Sequence, residues 1–360
     1  MRINNLSAAG FRNLEISGQR LYDGLNILTG DNAQGKTSFL EAVYFCALGR
    51  AIRTRSDGEL VRWGSQTAHV RLDMERAGIT VTIDAFLEIQ GRKTAKSISV
   101  DKIPVRHIKD LYGRMLVVTF SPEDLKLVKA GPSERRRFID IELCQLSSVY
   151  YNDLKEYHRA LKQRNILLKT LQKSRANYDS LFVWDEQLAG YGERIMKTRS
   201  EFVKRMSEAA SEIHGNITQG AEKLTLTYSP GFASLDIIGK THERDIARGS
   251  TLEGVHTDDI EFTLNGVSAR HFGSQGQQRT SALSAKLAEI SIIEKSTGEH
   301  PVLLLDDVLS ELDNHRQRFL FKQIENLQTI LTCTGIEDAV SAAGSLNIMR
   351  MENGKIVNEG

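Results

Sequence analysis

The sequence predicts an α/β protein in which strand-rich segments at both ends of the chain enclose a mostly helical insertion. Short apolar or β-branched segments, which are typical of strands, occur in the first third of the chain and again in the last third. The stretch between them has no proline from 133 to 229 and no glycine from 133 to 189, so it lacks the usual helix breakers. We therefore expect one α/β domain built from residues 1–120 and 216–360, and a helical arm domain at 121–215.

The predicted strands are short, and their patterns differ along the chain. Several segments alternate apolar with polar residues or are rich in β-branched residues: 25–29, 68–74, 79–89, 116–120 and 260–264. Two others, 302–305 and 329–334, are almost continuously apolar, as expected for parallel strands that are buried on both faces. The segment 347–357 is typical of a hairpin that turns at Asn353-Gly354. Together these patterns favour a mixed sheet.

The helical insertion carries an excess of basic residues. Segment 150–175 contains seven lysines and arginines against two acids. Such a surface attracts the phosphate backbone of a nucleic acid, although a charged helix face is often simply solvated, and both interpretations remain open. Leucines at 154, 161, 168 and 171 predict the seam of a helical hairpin.

The composition excludes several classes of protein. The 360 residues include 47 Lys+Arg and 46 Asp+Glu, a net charge of +1, so the chain is not a simple polycation that coats nucleic acid. The three cysteines, Cys46, Cys144 and Cys333, form no CxxC pair, which argues against a disulfide framework or a zinc finger. No apolar run reaches the ~20 residues that span a bilayer, and the N-terminus lacks the apolar core of a signal peptide. We expect a cytoplasmic protein without a membrane partner.

A glycine-rich loop matches the phosphate-binding pattern G-x-x-x-x-G-K-[ST] in every fixed position. It follows the predicted strand 25–29 and precedes a segment with helical apolar spacing, which is the context that the pattern requires. The helix N-terminus would hold phosphate, Lys36 would neutralise the β- and γ-phosphates, and Thr37 would bind Mg²⁺. ATP and Mg²⁺ are therefore the predicted cofactors. The predicted nucleotide contacts from this region are Gly30, Asp31, Asn32, Ala33, Gln34, Gly35, Lys36, Thr37 and Ser38.

Two adjacent acids end the predicted strand 302–305. Because α/β proteins bind ligands at the carboxyl ends of parallel strands, Asp306 and Asp307 are expected at the same edge as the phosphate loop. Asp306 suits the Mg²⁺ role, and Asp307 is placed to orient or deprotonate the attacking water. Taken alone, the pair fits equally well a strand that merely ends in a polar loop. Together with the phosphate loop it predicts hydrolysis, with Asp307 and Lys36 as the catalytic residues.

A third segment, 273–279, reads Gly-Ser-Gln-Gly-Gln-Gln-Arg and precedes another predicted helix. Its hydroxyl, flexible backbone N–H groups and helix N-terminus together favour an anion site. The order of phosphate loop, serine–glycine signature, acid-ended strand and Ser310-Glu311-Leu312-Asp313 resembles the ABC-type ATPases. That resemblance implies two ATP molecules held between two copies of the chain. The phosphate loop and Asp306 would act within one copy, and the signature would reach the nucleotide of the other through Ser274, Gly276 and Gln277.

The match narrows to the RecF family of bacterial recombination mediators, within the ABC-type, SMC-like ATPases. Five segments carry this resemblance over about positions 1–330: Phe11-Arg12-Asn13; Leu48-Gly49-Arg50 with Arg53-Thr54; Pro122-Glu123-Asp124-Leu125 with Gly131-Pro132 and 135–140; Gly254-Val255-His256-Thr257-Asp258-Asp259; and 304–320. It implies an ABC-type ATPase head, a mixed sheet with the phosphate loop, that is interrupted by the helical arm.

The RecF resemblance also implies a function in recombinational repair, replication restart and SOS induction. The protein would dimerise on ATP, bind DNA at single-strand gaps and at duplex–single-strand junctions, and help RecR and RecO load RecA. Phe120-Ser121-Pro122 stands where many ABC-type heads carry a Mg²⁺-contacting glutamine, and Thr332-Cys333-Thr334 contains no switch histidine. We therefore expect a slow ATPase in which hydrolysis gates the DNA-bound dimer.

Other candidate residues have two interpretations each. Arg53 or Arg55 is expected to clamp a phosphate, or else to lie in a solvated basic loop. Arg12 and Asn13 are expected to line the adenine side of the site. A metal site needs three or more convergent ligands, so we prefer a polar network to a metal site for His256, Asp258 and Asp259.

Two other functions remain open on the sequence. A transporter ATP-binding subunit would carry a switch histidine and lack the block at 122–140, and this sequence meets neither condition. A nucleotide-gated scaffold with a catalytically dead site would bind ATP without turning it over.

Overall fold

The computed structural model of the chain describes residues 1–54, 56–173, 179–231, 234–334 and 346–357. The chain divides into two compact units. The first contains Met1–Asp124 and Ile293–Gly360, and the second contains Leu125–Ile292. One unit is therefore assembled from both ends of the chain, and the other is an insertion.

The first part of the chain builds an antiparallel sheet and the helix that follows the phosphate loop. Its elements are β1 (Arg2–Phe11), β2 (Leu14–Arg20), β3 (Leu25–Thr29), α1 (Lys36–Leu48), β4 (Thr67–Arg76), β5 (Ile79–Gln90), β6 (Lys93–Val100), β7 (Ile103–Pro104) and β8 (Val117–Phe120). The sheet has the order β2-β1-β4-β5-β6-β7, and all its neighbours are antiparallel. Alternate residues of β4, such as Val70 and Leu72, are buried, in agreement with the pattern that predicted this strand.

The inserted unit combines helices with a small sheet. Its elements are α2 (Lys126–Lys129), α3 (Pro132–Leu146), α4 (Ser148–Lys173), α5 (Asp179–Ile217), β9 (Leu224–Ser229), α6 (Leu235–Lys240), α7 (His242–Arg248), β10 (Asp259–Leu264), β11 (Val267–Ser268), α8 (Ala269–Phe272) and the part of α9 (Gln275–Thr297) up to Ile292. β9, β10 and β11 form an antiparallel sheet. α5 packs on β9 and α3 packs on β10. Because helices and sheet pack together in this way, the unit extends beyond the expected boundary at 215 and ends at Ile292.

The last part of the chain completes a second sheet in the first unit. It adds β12 (Val302–Asp306), α10 (Asn314–Ile324), β13 (Thr329–Thr332), β14 (Leu346–Glu352) and β15 (Lys355–Val357). The order is β15-β14-β3-β13-β12-β8, with β15 antiparallel and the other strands parallel. The expected mixed sheet, its continuously apolar strands and the hairpin at Asn353-Gly354 are thus present. Parallel pairing brings the carboxyl ends of β3, β12 and β13 to one edge.

Helix α1 is buried, and it contacts both sheets of the first unit. It contacts β1, β4 and β5 of the antiparallel sheet and β12 and β13 of the mixed sheet. Its residues Phe39, Val43 and Phe45 are fully buried. A helix that is apolar on nearly all sides is stable only inside a core. This packing fixes the N-terminus of α1, and hence the phosphate loop, at the carboxyl edge of the mixed sheet.

The three cysteines lie in the interior of the protein. All three are free thiols and all three are buried. Burial raises the pKa of the Cys46 thiol, with a further contribution from the charge of Asp84, so this thiol stays neutral at pH 7. Within the described residues, no helix combines the length and the apolarity that a membrane crossing requires.

A buried pair of carboxyl groups lies between α3 and α9 in the inserted unit. Glu142 and Glu289 are 3% and 1% exposed. Lys286 Nζ lies 2.5 Å from Glu289 Oε2, and the amide of Gln145 lies 3.3 Å from Glu142 Oε2. Burial raises the pKa of Glu142 well above its usual range, and the charge and hydrogen bond of Glu289 raise it further, against the opposing effect of Lys286.

The raised pKa of Glu142 predicts that stability falls with rising pH. The folded protein keeps a proton that the unfolded chain has lost above a pH of about 4.3, so each further pH unit favours unfolding until the folded pKa is passed. Glu142→Gln imitates the protonated carboxyl and should raise the melting temperature at pH 7–8 and flatten its decline from pH 5 upward. Thermal unfolding followed by circular dichroism tests this, with Glu201→Gln on the exposed side of α5 as the control. A lower melting temperature for Glu142→Gln at pH 8 would contradict it.

Candidate nucleotide-binding site

The phosphate loop begins at a glycine that no other residue can replace without strain. Gly30, directly after β3, has φ +134°, and a Cβ there would lie 2.5 Å from the carbonyl oxygen of Met351. Gly35, with φ +111°, caps the N-terminus of α1. Because L side chains rarely adopt these conformations, backbone geometry accounts for the two fixed glycines of the pattern. The helix N-terminus that follows is a favourable site for phosphate.

Lys36 and Thr37 begin α1 at the edge of the mixed sheet. Lys36 Nζ donates to the carbonyl oxygens of Gly30 at 2.5 Å and Asp31 at 2.8 Å, so its ammonium is held over the loop. The Thr37 hydroxyl donates to Asp306 Oδ1 at 2.8 Å, although the two residues are 269 positions apart in sequence. The fold therefore brings together the residues that the sequence assigned to phosphate and to Mg²⁺.

Asp306 is the centre of this site. Its Oδ1 also accepts a hydrogen bond from the Thr332 hydroxyl at 2.9 Å, and its Oδ2 lies 2.6 Å from a guanidinium nitrogen of Arg53. A threonine hydroxyl and a carboxylate are hard oxygen donors, the type that Mg²⁺ prefers. Thr37 and Asp306 therefore fit the predicted metal. Arg53 reaches the site, but from the side of Asp306; Arg55 lies outside the described residues.

Asp307 is exposed and held in a left-handed backbone conformation. Its φ is +52°, and its backbone N–H donates to the Thr332 hydroxyl at 3.0 Å and to the Thr332 carbonyl at 3.2 Å. Partial burial raises the pKa of Asp307, and the charge of Asp306 raises it further, while Lys36 opposes both. Its carboxyl group thus lies at the mouth of the site, beside the groups expected to hold metal and phosphate. The sequence did not identify Thr332 as a residue of the site. The signal that could have found it is its position at the carboxyl end of β13, the strand next to β12.

Arg12 and Asn13 form the turn between β1 and β2, which contacts the phosphate loop and α1. Arg12 Nε donates to Glu41 Oε2 at 2.8 Å, and Glu41 is 2% exposed. Asn13 accepts from the Ser38 hydroxyl at 2.9 Å and donates to the Ala33 carbonyl at 3.3 Å. Glu41 was missed by the sequence analysis, although a single acid in the apolar helix segment of α1 was a signal. It pairs with Arg12, and its carboxylate also accepts from the backbone N–H of Arg53 at 3.4 Å.

The C-terminal hairpin closes the loop. Asn353 N–H donates to Gln34 Oε1 at 2.6 Å, and Gly354 N–H donates to the Gln34 carbonyl at 2.8 Å. A Cβ at Gly354, where φ is +80°, would overlap the carbonyl oxygen of Asn13, so the turn needs glycine. The phosphate loop, the turn at Arg12-Asn13 and the hairpin residue Asn353 all contribute to the lining of one cleft of about 1580 Å³. Among the residues that line it are Asn32, Lys36, Thr37, Arg53, Asp306 and Asp307.

The serine–glycine signature lies in the inserted unit, at the start of α9. Ser274 N–H donates to Gln277 Oε1 at 2.8 Å, and Gln277 N–H donates to the Ser274 hydroxyl at 3.2 Å. This reciprocal pair is a capping box. Gly276 is in the first turn, where its carbonyl accepts from the Thr280 hydroxyl at 2.8 Å. The expected anion site therefore has the local geometry of a capped helix N-terminus.

The histidine–aspartate cluster is a polar network. His256 Nδ1 lies 2.7 Å from the Tyr157 hydroxyl, and its Nε2 lies 3.1 Å from the Thr251 carbonyl. Asp258 pairs with Arg199 at 2.7 Å, and Asp259 pairs with Arg135 at 2.7 Å. The described part of the chain contains no group of three or more His, Cys, Asp or Glu side chains arranged to hold a metal ion. The partners of all three residues lie within the inserted unit.

The basic surface of α4 is smaller than its sequence indicates. Arg164 is fully buried, where it pairs with Asp185 at 2.7 Å and Asp245 at 2.6 Å. It therefore cannot contact DNA, and Arg175 lies outside the described residues. Arg164 belongs to the seam of the helical hairpin, because this residue lies seven positions after the buried Tyr157. The basic residues of α4 that are exposed are Lys155, Arg159, Lys162, Lys169 and Lys173.

Comparison with known sequences gives a consistent result. A family model described as an AAA domain matches residues 1–225. Two curated relatives, each called DNA replication and repair protein RecF, come from Lachnoclostridium phytofermentans and Acetivibrio thermocellus. The first is 44% identical over 344 residues, which cover 95% of this chain and 95% of the relative. The second is 45% identical over 350 residues, which cover 94% of each.

Solved structures are similar over the same length. The recombination mediator protein RecF with ATP, described as part of the RecFOR pathway, has a TM-score of 0.91 and 31% identity. The match covers 100% of this chain and 98% of that chain. The Smc head domain from Pyrococcus furiosus shares the fold, with a TM-score of 0.56 and 17% identity over 99% of this chain and 96% of that one. The expected ABC-type ATPase fold is thus confirmed.

Proposed function

The chain belongs to the RecF family of DNA replication and repair proteins, and we propose that it is an ATP-gated mediator that closes as a dimer on DNA. Membership of this family supports the role of a recombination mediator that binds ATP. The proposal adds the gating, the DNA structure that is recognised and the assembly that follows. Its DNA targets are single-strand gaps and duplex–single-strand junctions, and its partners are RecR, RecO and RecA.

One observation supports this proposal above the others: the hydrogen bond of 2.8 Å between Thr37 and Asp306. The bond brings a loop of phosphate-binding sequence to a carboxylate that ends a distant strand, which is the arrangement that a nucleotide with its metal requires. Lys36 would bind the β- and γ-phosphates. Thr37 and Asp306 would hold Mg²⁺, which supplies charge neutralisation at the phosphates. Asp307, at the mouth of the site, would orient the attacking water.

The proposed dimerisation uses the second anion site. Ser274, Gly276 and Gln277 belong to the inserted unit, whereas the phosphate loop belongs to the first unit. The capped N-terminus of α9 offers a hydroxyl and a helix dipole to an anion. We propose that Ser274 of one copy binds the γ-phosphate held by the other, so that two ATP molecules join two copies. ATP would then close the dimer on DNA, and hydrolysis would open it.

Replacing Ser274 with arginine should weaken ATP-dependent dimerisation without removing ATP binding. The substitution removes the hydroxyl from the α9 N-terminus, and loss of a hydrogen bond to a charged group costs about 1.5–3 kcal/mol. The apparent dimer dissociation constant should therefore rise at least about tenfold. Sizing by light scattering, with and without ATP and gapped duplex DNA, measures this.

Lys36→Ala is the matched variant for this experiment. This variant removes the cation that would bind the phosphates, so it should lose both ATP binding and dimerisation. Ser274→Arg should affect dimerisation alone. ATP-driven dimerisation of Lys36→Ala with unchanged affinity would contradict the gating. A transporter subunit would not dimerise on gapped DNA, and a dead scaffold would dimerise but show no ATP turnover.

A further inference from the structure

Trp63 has the most exposed large apolar side chain among the described residues, with a relative exposure of 101%. It is one of two tryptophans in the chain. A tryptophan in this state keeps a large aromatic face in water, which is costly unless a partner covers it. Trp63 lines the same cleft as Lys36 and Thr37. Its exposed face therefore belongs to the wall of the candidate nucleotide site.

The segment that carries Trp63 is fixed to the turn that supports the phosphate loop. The backbone N–H of Arg62 donates to the Gly10 carbonyl at 2.7 Å. The Arg62 guanidinium donates to the carbonyl oxygens of Asn13 at 3.1 Å and Leu14 at 3.0 Å. The position of the indole is thus set by a residue anchored to the strands of the first unit. A rigid aromatic face loses little entropy when a ligand stacks on it.

The cleft is lined by groups of different chemical character. Lys36 and Arg53 provide cationic groups where phosphates and metal are expected. Next to Trp63, Ser65 and Gln66 are uncharged, and the charge of Arg62 is paired with Glu15 at 2.7 Å. A nucleoside triphosphate combines matching parts, an anionic tail and a flat, weakly polar base.

We propose that Trp63 is the stacking platform for the base of the bound nucleotide. The inference rests on the proposed function, since ATP is the nucleotide, and it adds a residue that determines how the base is held. Stacking of a base on an aromatic side chain is tolerant of base identity because every base has a π-face. Trp63 therefore increases affinity for nucleotides over inorganic polyphosphate, and it does not select adenine over guanine.

The test compares ligands with and without a base. Trp63→Ala should weaken binding of Mg·ATP about ten- to a hundredfold, as expected for the loss of one base–aromatic stack. Binding of Mg·tripolyphosphate should stay within about twofold, because the phosphate end is unchanged. Trp63→Phe retains a flat ring and should recover most of the ATP affinity. Isothermal titration calorimetry of the full chain gives all these dissociation constants.

A fluorescence measurement provides a readout that does not depend on affinity. In the Trp184→Phe protein, Trp63 is the only tryptophan. ATP and GTP should both quench its emission, and tripolyphosphate should not. At saturating ATP, the quenching should be the same after tenfold dilution of the protein, because the stack forms within a single ATP-bound chain.

Four results would overturn the inference, and only the last of them would overturn the proposed function as well. Unchanged ATP affinity in Trp63→Ala would remove the inference alone, because ATP binding itself would stand. Quenching that disappears on dilution would assign Trp63 to a contact between copies. Quenching by single-stranded DNA without ATP would assign it to DNA. If neither ATP nor tripolyphosphate binds the wild-type chain, the proposed function and the inference fail together.

Discussion

Replacing Asp307 with asparagine should slow ATP turnover by about 10²- to 10⁴-fold while leaving ATP binding and ATP-dependent assembly in place. This is the range expected for the loss of a general base. Asparagine preserves the shape of the side chain but cannot take a proton from water. The backbone of Asp307 is held by Thr332 through contacts of 3.0 Å and 3.2 Å, which do not involve the side chain of Asp307. The substitution therefore removes chemistry without disturbing the site.

Asp306→Asn is the contrasting variant for this prediction. Asp306 accepts hydrogen bonds from Thr37 and Thr332 and would hold the metal. Its loss should weaken Mg²⁺-dependent ATP binding as well as turnover, whereas Asp307→Asn should affect turnover alone. Single-turnover hydrolysis of labelled ATP, together with equilibrium ATP binding, distinguishes the two variants. Wild-type turnover in Asp307→Asn would mean that another group activates the water.

A wild-type rate that is already slow would not weaken this comparison. Pro122 lines the cleft in the segment where many ABC-type heads carry a glutamine. Cys333 and Thr334 follow β13 where transporters carry a histidine. With few auxiliary groups, the rate depends more heavily on Asp307, and the ratio between wild type and variant remains the informative quantity. A slow cycle also fits a gate that must stay closed while partners assemble.

The sequence predicted the parts of the site that depend on local geometry. The glycines of the phosphate loop are required by two positive φ values and a close approach to Met351, and these requirements leave a fixed spacing in the sequence. The two acids at 306 and 307 could be placed because a buried parallel strand that ends in carboxylates presents them at the ligand-binding edge of its sheet. Their meeting with Thr37 followed from the parallel order of the strands.

Contacts between residues that are far apart in the chain produce no fixed spacing in the sequence, so they could not be predicted from it. The pairing of Arg53 with Asp306, and that of Arg12 with Glu41, depends on how loops cross the sheet edge. Arg164 was counted as part of a basic surface because its charge is visible in the sequence, whereas its buried acidic partners on α5 and α7 are not adjacent to it. The extent of the inserted unit was underestimated for the same reason, since β9 and β10 join the helices through packing alone.

Arg199 is a buried cation that pairs with acids from two of the motifs seen in the sequence. Its guanidinium lies 2.7 Å from Asp258, 2.8 Å from Asp140 and 2.6 Å from the Val255 carbonyl, and its side chain is 2% exposed. Burial alone would lower the pKa of Arg199, but Tyr150, Asp140 and Asp258 together raise it well above its usual range. Arg199 on α5 thus neutralises Asp140 of the motif at 135–140 and Asp258 of the motif at 254–259. Both motifs therefore depend on a residue that lies outside them.

Replacing Arg199 with methionine should destabilise the inserted unit by about 3–5 kcal/mol. Methionine fills the space of the arginine stem but leaves Asp258, which is fully buried, without its counter-charge. The melting temperature of this unit should fall by roughly 10 °C or more. Arg194→Met is the matched control on the same helix: Arg194 pairs with Asp153 but is 53% exposed, so its loss should cost less than about 1 kcal/mol. Equal shifts for the two variants in thermal unfolding would show that the Arg199 network is no more stabilising than a surface pair. In that case the aspartates of both motifs would not serve stability, and direct contact with a partner would become the first alternative to test.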